Sequence, residues 1–155
     1  MSLRACSLLM LVFVAAATTQ PATAATHRVD DSASLPVESI ALLGWRQSAP
    51  SRATDAMLEG AATVTVRLNL APWLHRQARL YLVLPEQGSA LVKARWRTQG
   101  RLLPGEIAPG QRVIVYQGPI TTPLLEETLA LRFEADGDRL PGTQRLAFHF
   151  EIDTE

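Results

Sequence analysis

The sequence has almost no cysteine, almost no lysine and no net charge. Cys6 is the only cysteine and Lys93 the only lysine among 155 residues. A chain with one cysteine can form no internal disulfide bond and no cysteine-rich zinc cluster. Its 15 basic and 15 acidic residues balance at neutral pH, which excludes a general attraction to nucleic acid. The 47% of hydrophobic residues is typical of a globular domain.

Residues 1–25 have the three parts of a secretory signal peptide. Arg4 supplies the positive charge, residues 8–17 form an apolar run, and Ala22-Thr23-Ala24 is a small-x-small cleavage motif that also fits one residue later. An apolar run of about ten residues is too short to span a bilayer as a helix. We therefore expect a mature protein without a transmembrane segment, periplasmic or secreted from a bacterium. Cys6 lies before the apolar run, where it predicts no lipid anchor.

The rest of the chain alternates apolar and polar residues in short runs, which is typical of half-buried strands. The clearest run lies at residues 61–70, where Val64, Val66 and Leu68 point to one face. Further runs occupy residues 80–84, 90–98, 111–117, 128–135 and 145–152, with a weaker one at 37–45. About seven strands with Gly and Pro turns between them predict an all-β fold. We expect a small antiparallel β-sandwich, immunoglobulin-like, with a small β-barrel as the alternative.

The domain organisation follows from these runs. Residues 26–36 are polar and predict a flexible lead-in, and residues 37–155 predict a single β-sandwich domain. Two short stretches, 54–59 and 71–76, have the residues of a helical turn.

The sequence contains no motif that predicts catalysis. Gly-x-Ser-x-Gly is absent, and His27, His75 and His149 are far apart, without the spacing of a metal site. We therefore predict a protein that is not an enzyme, with no catalytic residues, no metal and no cofactor. A hydrolase remains a remote alternative, because a catalytic triad is defined by its geometry in space.

One strand carries the candidate binding surface. Lys93, Arg95 and Arg97 alternate with Val92, Ala94 and Trp96, and Arg101 follows the strand. If Arg67 or Arg112 lies on a neighbouring strand, these side chains form a positive face that suits an anionic glycan, a phosphate-rich polymer or an acidic partner. Trp73, in a loop, is the candidate for an exposed aromatic contact. Trp96 shares the apolar side of its strand, which favours a place in the core.

These features predict an exported, non-enzymatic interaction module. We expect an accessory or structural part of a cell-envelope or surface assembly, for example a fimbria-related one, with an envelope or surface protein as its partner. The alternative is a module that binds carbohydrate or another anionic ligand. Nucleic acid is not expected as a partner.

Overall fold

The computed structural model describes residues 25–36, 44–45, 57–86, 92–139 and 146–154. In these ranges the chain forms ten strands, and every strand pair is antiparallel. The strands are β1 (Ala25–Arg28), β2 (Leu35–Pro36), β3 (Gly44–Trp45), β4 (Met57–Asn69), β5 (Gln77–Leu84), β6 (Val92–Arg97), β7 (Gly105–Ile107), β8 (Gln111–Pro119), β9 (Leu124–Asp136) and β10 (His149–Thr154). Short 3-10 helices follow β4 and β9, at Ala71–Trp73 and Gly137–Arg139. No helix in the described ranges combines the length and apolar character that crossing a bilayer requires.

The strands form two sheets that pack face to face. The smaller sheet has the order β1-β10-β5-β8. The larger has the order β4-β9-β6-β7, and the two-residue strands β2 and β3 both pair with the remaining edge of β4. The predicted all-β sandwich is confirmed. In the described ranges the strands form two sheets, each with edges of its own, and the alternative of a closed barrel is not observed there.

The strand order differs from that of an immunoglobulin domain. In the immunoglobulin order, several strands that follow each other in the chain pair within one sheet. Here β6–β7 and the short β3–β4 pair are the consecutive strands that do so in the described part of the chain. The strands β2 and β3 lie in the same sheet without pairing with each other, and the other connections cross between the sheets. With β2 and β3 set aside, β1-β10-β5-β8 and β4-β9-β6-β7 is the order of an eight-stranded jelly roll. The described strands therefore form the predicted β-sandwich with the strand order of a jelly roll and not with that of an immunoglobulin domain.

The core lies between the sheets and follows the predicted alternation. Along β6, Val92, Ala94 and Trp96 are buried, and the residues between them are exposed. Trp96 is 1% exposed, and its indole N–H donates a hydrogen bond of 2.8 Å to the carbonyl oxygen of Leu103. Gly105 lies opposite Trp96 on β7. A Cβ atom at position 105 would lie 2.6 Å from the tryptophan ring, so the ring requires glycine there.

Two local predictions are wrong. The segment 26–36, expected to be a flexible lead-in, contributes β1 to the smaller sheet and β2 to the larger. Its anchor is Val29, which is 1% exposed and whose backbone N–H donates to Phe150 over 2.9 Å. Glu59, expected in a helical turn, lies in β4, which begins at Met57. The turn predicted after residue 70 is confirmed by the 3-10 helix. Residues 1–24, 37–43 and 54–56 lie outside the described residues.

Candidate functional site

The outer face of the larger sheet carries the predicted basic row. Lys93, Arg95 and Arg97 are exposed on β6, because the alternation that buries Trp96 turns its neighbours outward. Strand pairing places β9 on one side of β6 and β7 on the other. The row is therefore in the middle of a sheet, and its surroundings depend on both neighbouring strands.

Each residue of the basic row has a defined cross-strand neighbour. Lys93 pairs with Glu134, Arg95 with Arg132, and Arg97 with Ala130. On the other side, Arg95 pairs with Glu106 of β7. Beyond β9, the outward residues of β4 continue these rows: Glu59 pairs with Glu134, Ala61 with Arg132, Thr63 with Ala130, Thr65 with Thr128, and Arg67 with Glu126.

Arg95 is neutralised by an acidic neighbour. Its guanidinium donates two hydrogen bonds to one carboxylate oxygen of Glu106, with N–O distances of 2.7 and 3.1 Å. Hydrogen bonding and the positive charge of Arg95 hold the pKa of Glu106 below its ordinary value, and the same contact raises the pKa of Arg95. Arg67, at the far end of the face, forms an ion pair with Glu126, donating to its two carboxylate oxygens over 2.8 and 3.4 Å.

Arg97 and Arg132, which we call the arginine pair, are arranged differently. Both are exposed, and neither forms an ion pair within the part of the chain that the structure describes. Arg132 lies directly opposite Arg95, and like charges in that position destabilise a sheet. The positive charge that remains on this face is therefore concentrated at the arginine pair.

Small side chains border the arginine pair on β4 and β9. This small-residue strip consists of Ala61, Thr63, Thr65, Thr128 and Ala130. Its members are exposed or half-buried, and three of them carry a hydroxyl group. The strip leaves open surface beside the two guanidinium groups, together with groups that can donate and accept hydrogen bonds.

Two predicted site residues lie away from this face. Arg101 is in the β6–β7 connection, and its guanidinium reaches the hydroxyl groups of Thr121 and Thr122 at 3.3 and 3.4 Å, at one end of the sandwich. The carboxylate of Glu127 holds that connection by accepting hydrogen bonds from the backbone N–H groups of Arg101 and Leu102. In the described structure the Arg101 guanidinium therefore contacts the β8–β9 connection and not the basic row.

Trp73 is also at an end of the sandwich. It lies in the 3-10 helix after β4, is half-buried and packs against the core. Its ring faces His27 of β1, with ring centroids 6.0 Å apart. The structure therefore does not bring Trp73 together with the basic row, and the ring is only partly available to a ligand.

Sequence reasoning missed Arg132, the residue that completes the site. Its outward position on β9 follows from the alternation of Leu131 and Phe133, both of which are buried. Its position beside Arg95 follows only from the pairing of β9 with β6. Arg112, considered as a neighbour of the basic row, lies on β8 in the other sheet.

The outer face of the smaller sheet carries a network around Arg112. The guanidinium donates to Glu151 over 2.8 Å and to Asp153 over 2.6 Å, and it lies 3.4 Å from the ring centroid of Tyr81. Asp153 also accepts a hydrogen bond of 2.7 Å from Thr26. The network therefore connects β1, β5, β8 and β10.

The ionisation of this network follows from its contacts. Partial burial opposes the charge of Asp153, but hydrogen bonds from Arg112 and Thr26 outweigh it and lower the pKa of Asp153. Burial likewise opposes the charge of Arg112, and the two carboxylates outweigh it and raise its pKa. Both groups are charged at neutral pH and form an ion pair with each other.

His149 continues the outward face of β10, 3.4 Å from a carboxylate oxygen of Glu151. In the described ranges no group of three or more His, Cys, Asp and Glu side chains is arranged to hold a metal ion. The absence of a metal and of a cofactor stays a prediction.

Comparison of the chain with protein-family models, curated proteins and solved structures finds no match in any of the three.

Proposed function

We propose that this protein is an exported, non-enzymatic interaction module that docks an anionic partner on the outer face of its larger sheet. Its place would be in a cell-envelope or surface assembly, as an accessory or structural part. The observation that supports the proposal is the arginine pair, Arg97 and Arg132. Two exposed guanidinium groups beside a third arginine favour a negatively charged partner, which would relieve their mutual repulsion.

The export part of the proposal depends on the sequence of residues 1–25. Export is compatible with the composition of the domain, which has no cysteine after Cys6 and therefore does not need disulfide bonds to fold. The compartment follows from signal-peptide cleavage, which N-terminal sequencing of the exported protein would test.

The non-enzymatic part is supported by two carboxylates, Glu106 on the larger sheet and Asp153 on the smaller. A general acid or base works best with a pKa near the operating pH. The pKa values of Glu106 and Asp153 are instead lowered by neighbouring arginines, so both remain ionised. These groups act as fixed charges.

The basic face also supports the alternative of a carbohydrate-binding module. Trp73 supports this alternative less strongly. A half-buried tryptophan that packs against the core and faces His27 offers a ligand less stacking surface than an exposed ring would. A ligand on this module is therefore expected to be recognised mainly by charge.

The proposal is tested with the mature chain and two matched double variants. R97Q/R132Q removes the arginine pair, and R28Q/R76Q removes two other exposed arginines with the same change in net charge. Binding to immobilised poly-L-glutamate, polygalacturonate and polyphosphate is measured beside neutral dextran at low and moderate salt. We expect binding to at least one polyanion, weakened by salt, and a loss of about tenfold or more in R97Q/R132Q only.

Two results would contradict the proposal. One is the absence of binding to every polyanion. The other is an equal loss in both double variants, because it would mean that net charge, and not this face, determines binding.

A further inference from the structure

The charges on the outer face of the larger sheet can be compared row by row. The row of Glu59, Glu134 and Lys93 has one net negative charge, and the row of Arg67 and Glu126 has none. The row of Ala61, Arg132, Arg95 and Glu106 has one net positive charge, as does the row of Thr63, Ala130 and Arg97. The positive excess therefore occupies two adjacent rows.

The members of the arginine pair are diagonal neighbours across β6 and β9, because Arg97 pairs with Ala130, two residues from Arg132. Diagonal positions in an antiparallel pair are about 7–8 Å apart, which long side chains can bridge. Two guanidinium groups at this spacing can reach one oxyanion from two sides. Arginine binds carboxylate and phosphate oxygens with paired N–H groups.

The surface beside the arginine pair indicates which kind of molecule carries the bound oxyanion. On the described part of this face, the large apolar side chains that point outward are Met57 and Leu124, at its two ends, and Leu35 of β2, which is 59% exposed and pairs with Thr65 at the outer edge of the sheet. Between them lie the hydroxyl and methyl groups of the small-residue strip. A protein interface usually has an apolar or aromatic centre, and this face has a polar one. A hydrated, hydroxyl-rich partner fits it better.

We infer that the anionic partner is a glycan that carries carboxylate groups, with a uronate bound by Arg97 and Arg132 and its sugar ring over the small-residue strip. This inference rests on the proposed function and specifies the chemistry of its partner. The carboxylate takes the place of the missing counter-charge, and the threonine hydroxyls exchange hydrogen bonds with the hydroxyls of the sugar.

The test compares two polymers that carry the same charged group on different backbones. Polygalacturonate and poly-L-glutamate, matched in chain length and both fully ionised at neutral pH, are titrated into the mature protein, with dextran as the neutral control. We expect polygalacturonate to bind more tightly than poly-L-glutamate. R97Q/R132Q should lose about tenfold or more in affinity for polygalacturonate, and R28Q/R76Q should stay within about twofold of the unchanged protein.

A third variant, T63V/T128V, keeps the shape of the strip and removes two hydroxyl groups. It should weaken polygalacturonate binding by about threefold or more, because the hydrogen bonds of two threonine hydroxyls with the sugar are lost, and leave poly-L-glutamate binding unchanged. Circular dichroism and melting of each variant establish that it is folded.

The outcomes separate the two proposals. Binding to poly-L-glutamate alone, or equal binding to both polymers with no effect of T63V/T128V, overturns the glycan inference and leaves the proposed function standing. Binding to neither polymer, with polyphosphate also unbound, overturns both.

Discussion

Arg112 on the smaller sheet and Arg132 on the larger sheet are both outward-facing arginines on a β-sheet, and they have opposite surroundings. Arg112 is held by Glu151 and Asp153 and lies over the ring of Tyr81. Arg132 lies opposite Arg95 and forms no ion pair within the described residues. On the smaller sheet the arginine and its partners form a closed network. On the larger sheet, Arg132 has no carboxylate partner among the described residues.

The difference separates a stabilising role from a binding role. Hydrogen bonds to charged groups contribute about 1.5–3 kcal/mol and exposed ion pairs about 1 kcal/mol or less because water screens them, so the half-exposed Arg112 network strengthens the fold by an amount between the two. Like charges on neighbouring strands have the opposite effect. Glu106 compensates the charge of Arg95 only, and Arg132 and Arg97 keep theirs without an ion pair in the described residues. Charge left in this way on a sheet is typical of a functional surface, which supports docking on the larger sheet.

The largest expected difference is in stability. Arg112→Ala should lower the free energy of unfolding by about 1–2 kcal/mol, because it leaves two carboxylates without their partner. Arg132→Ala should leave the free energy of unfolding unchanged or raise it slightly, because it removes a repulsion. Urea denaturation of both variants, monitored by tryptophan fluorescence, measures the two effects. Equal losses in the two variants would contradict the comparison.

A smaller effect is expected on the dependence of stability on pH. Since the pKa of Asp153 is lowered in the folded protein, its contribution is present above the unfolded pKa of about 3.9. That contribution is lost as the pH falls through the lower, folded value. Asp153→Asn should therefore reduce the free energy of unfolding by about 1 kcal/mol at pH 7, and the difference from the unchanged protein should shrink steadily as the pH falls below about 3.9. A difference that stays constant from pH 7 to pH 2.5 would mean that Asp153 acts through packing and not through its charge.

The sequence predicts the kind of fold well because alternation is a local property. The runs around Val66, Leu82, Trp96 and Leu131 each place apolar side chains on one side of a strand, and each of these residues is buried. The strand order depends on which strands meet in space. For that reason the sequence predicted a sandwich and not the order of a jelly roll.

The candidate site shows the same limit. The outward positions of Lys93, Arg95 and Arg97 could be predicted because they lie on one strand. Arg132 is on another strand, and no pattern within β9 indicates that β6 is beside it. Arg101 follows β6 closely in sequence, but Glu127 of β9 holds its loop at the end of the sandwich. Val29 is a single buried residue between polar neighbours, too short a signal to predict the strands around it.

The central claim is that the larger sheet binds the anionic partner and that the smaller sheet does not. Its most direct test is an NMR titration of the mature protein with short oligogalacturonates, in which the side-chain Nε–H signals of the arginines are observed. Single arginine-to-lysine variants assign the signals. We expect the signals of Arg97 and Arg132 to shift with the same dissociation constant while those of Arg112 and Arg28 stay in place. Shifts at Arg112 or Arg28 without shifts at Arg97 and Arg132 would contradict it.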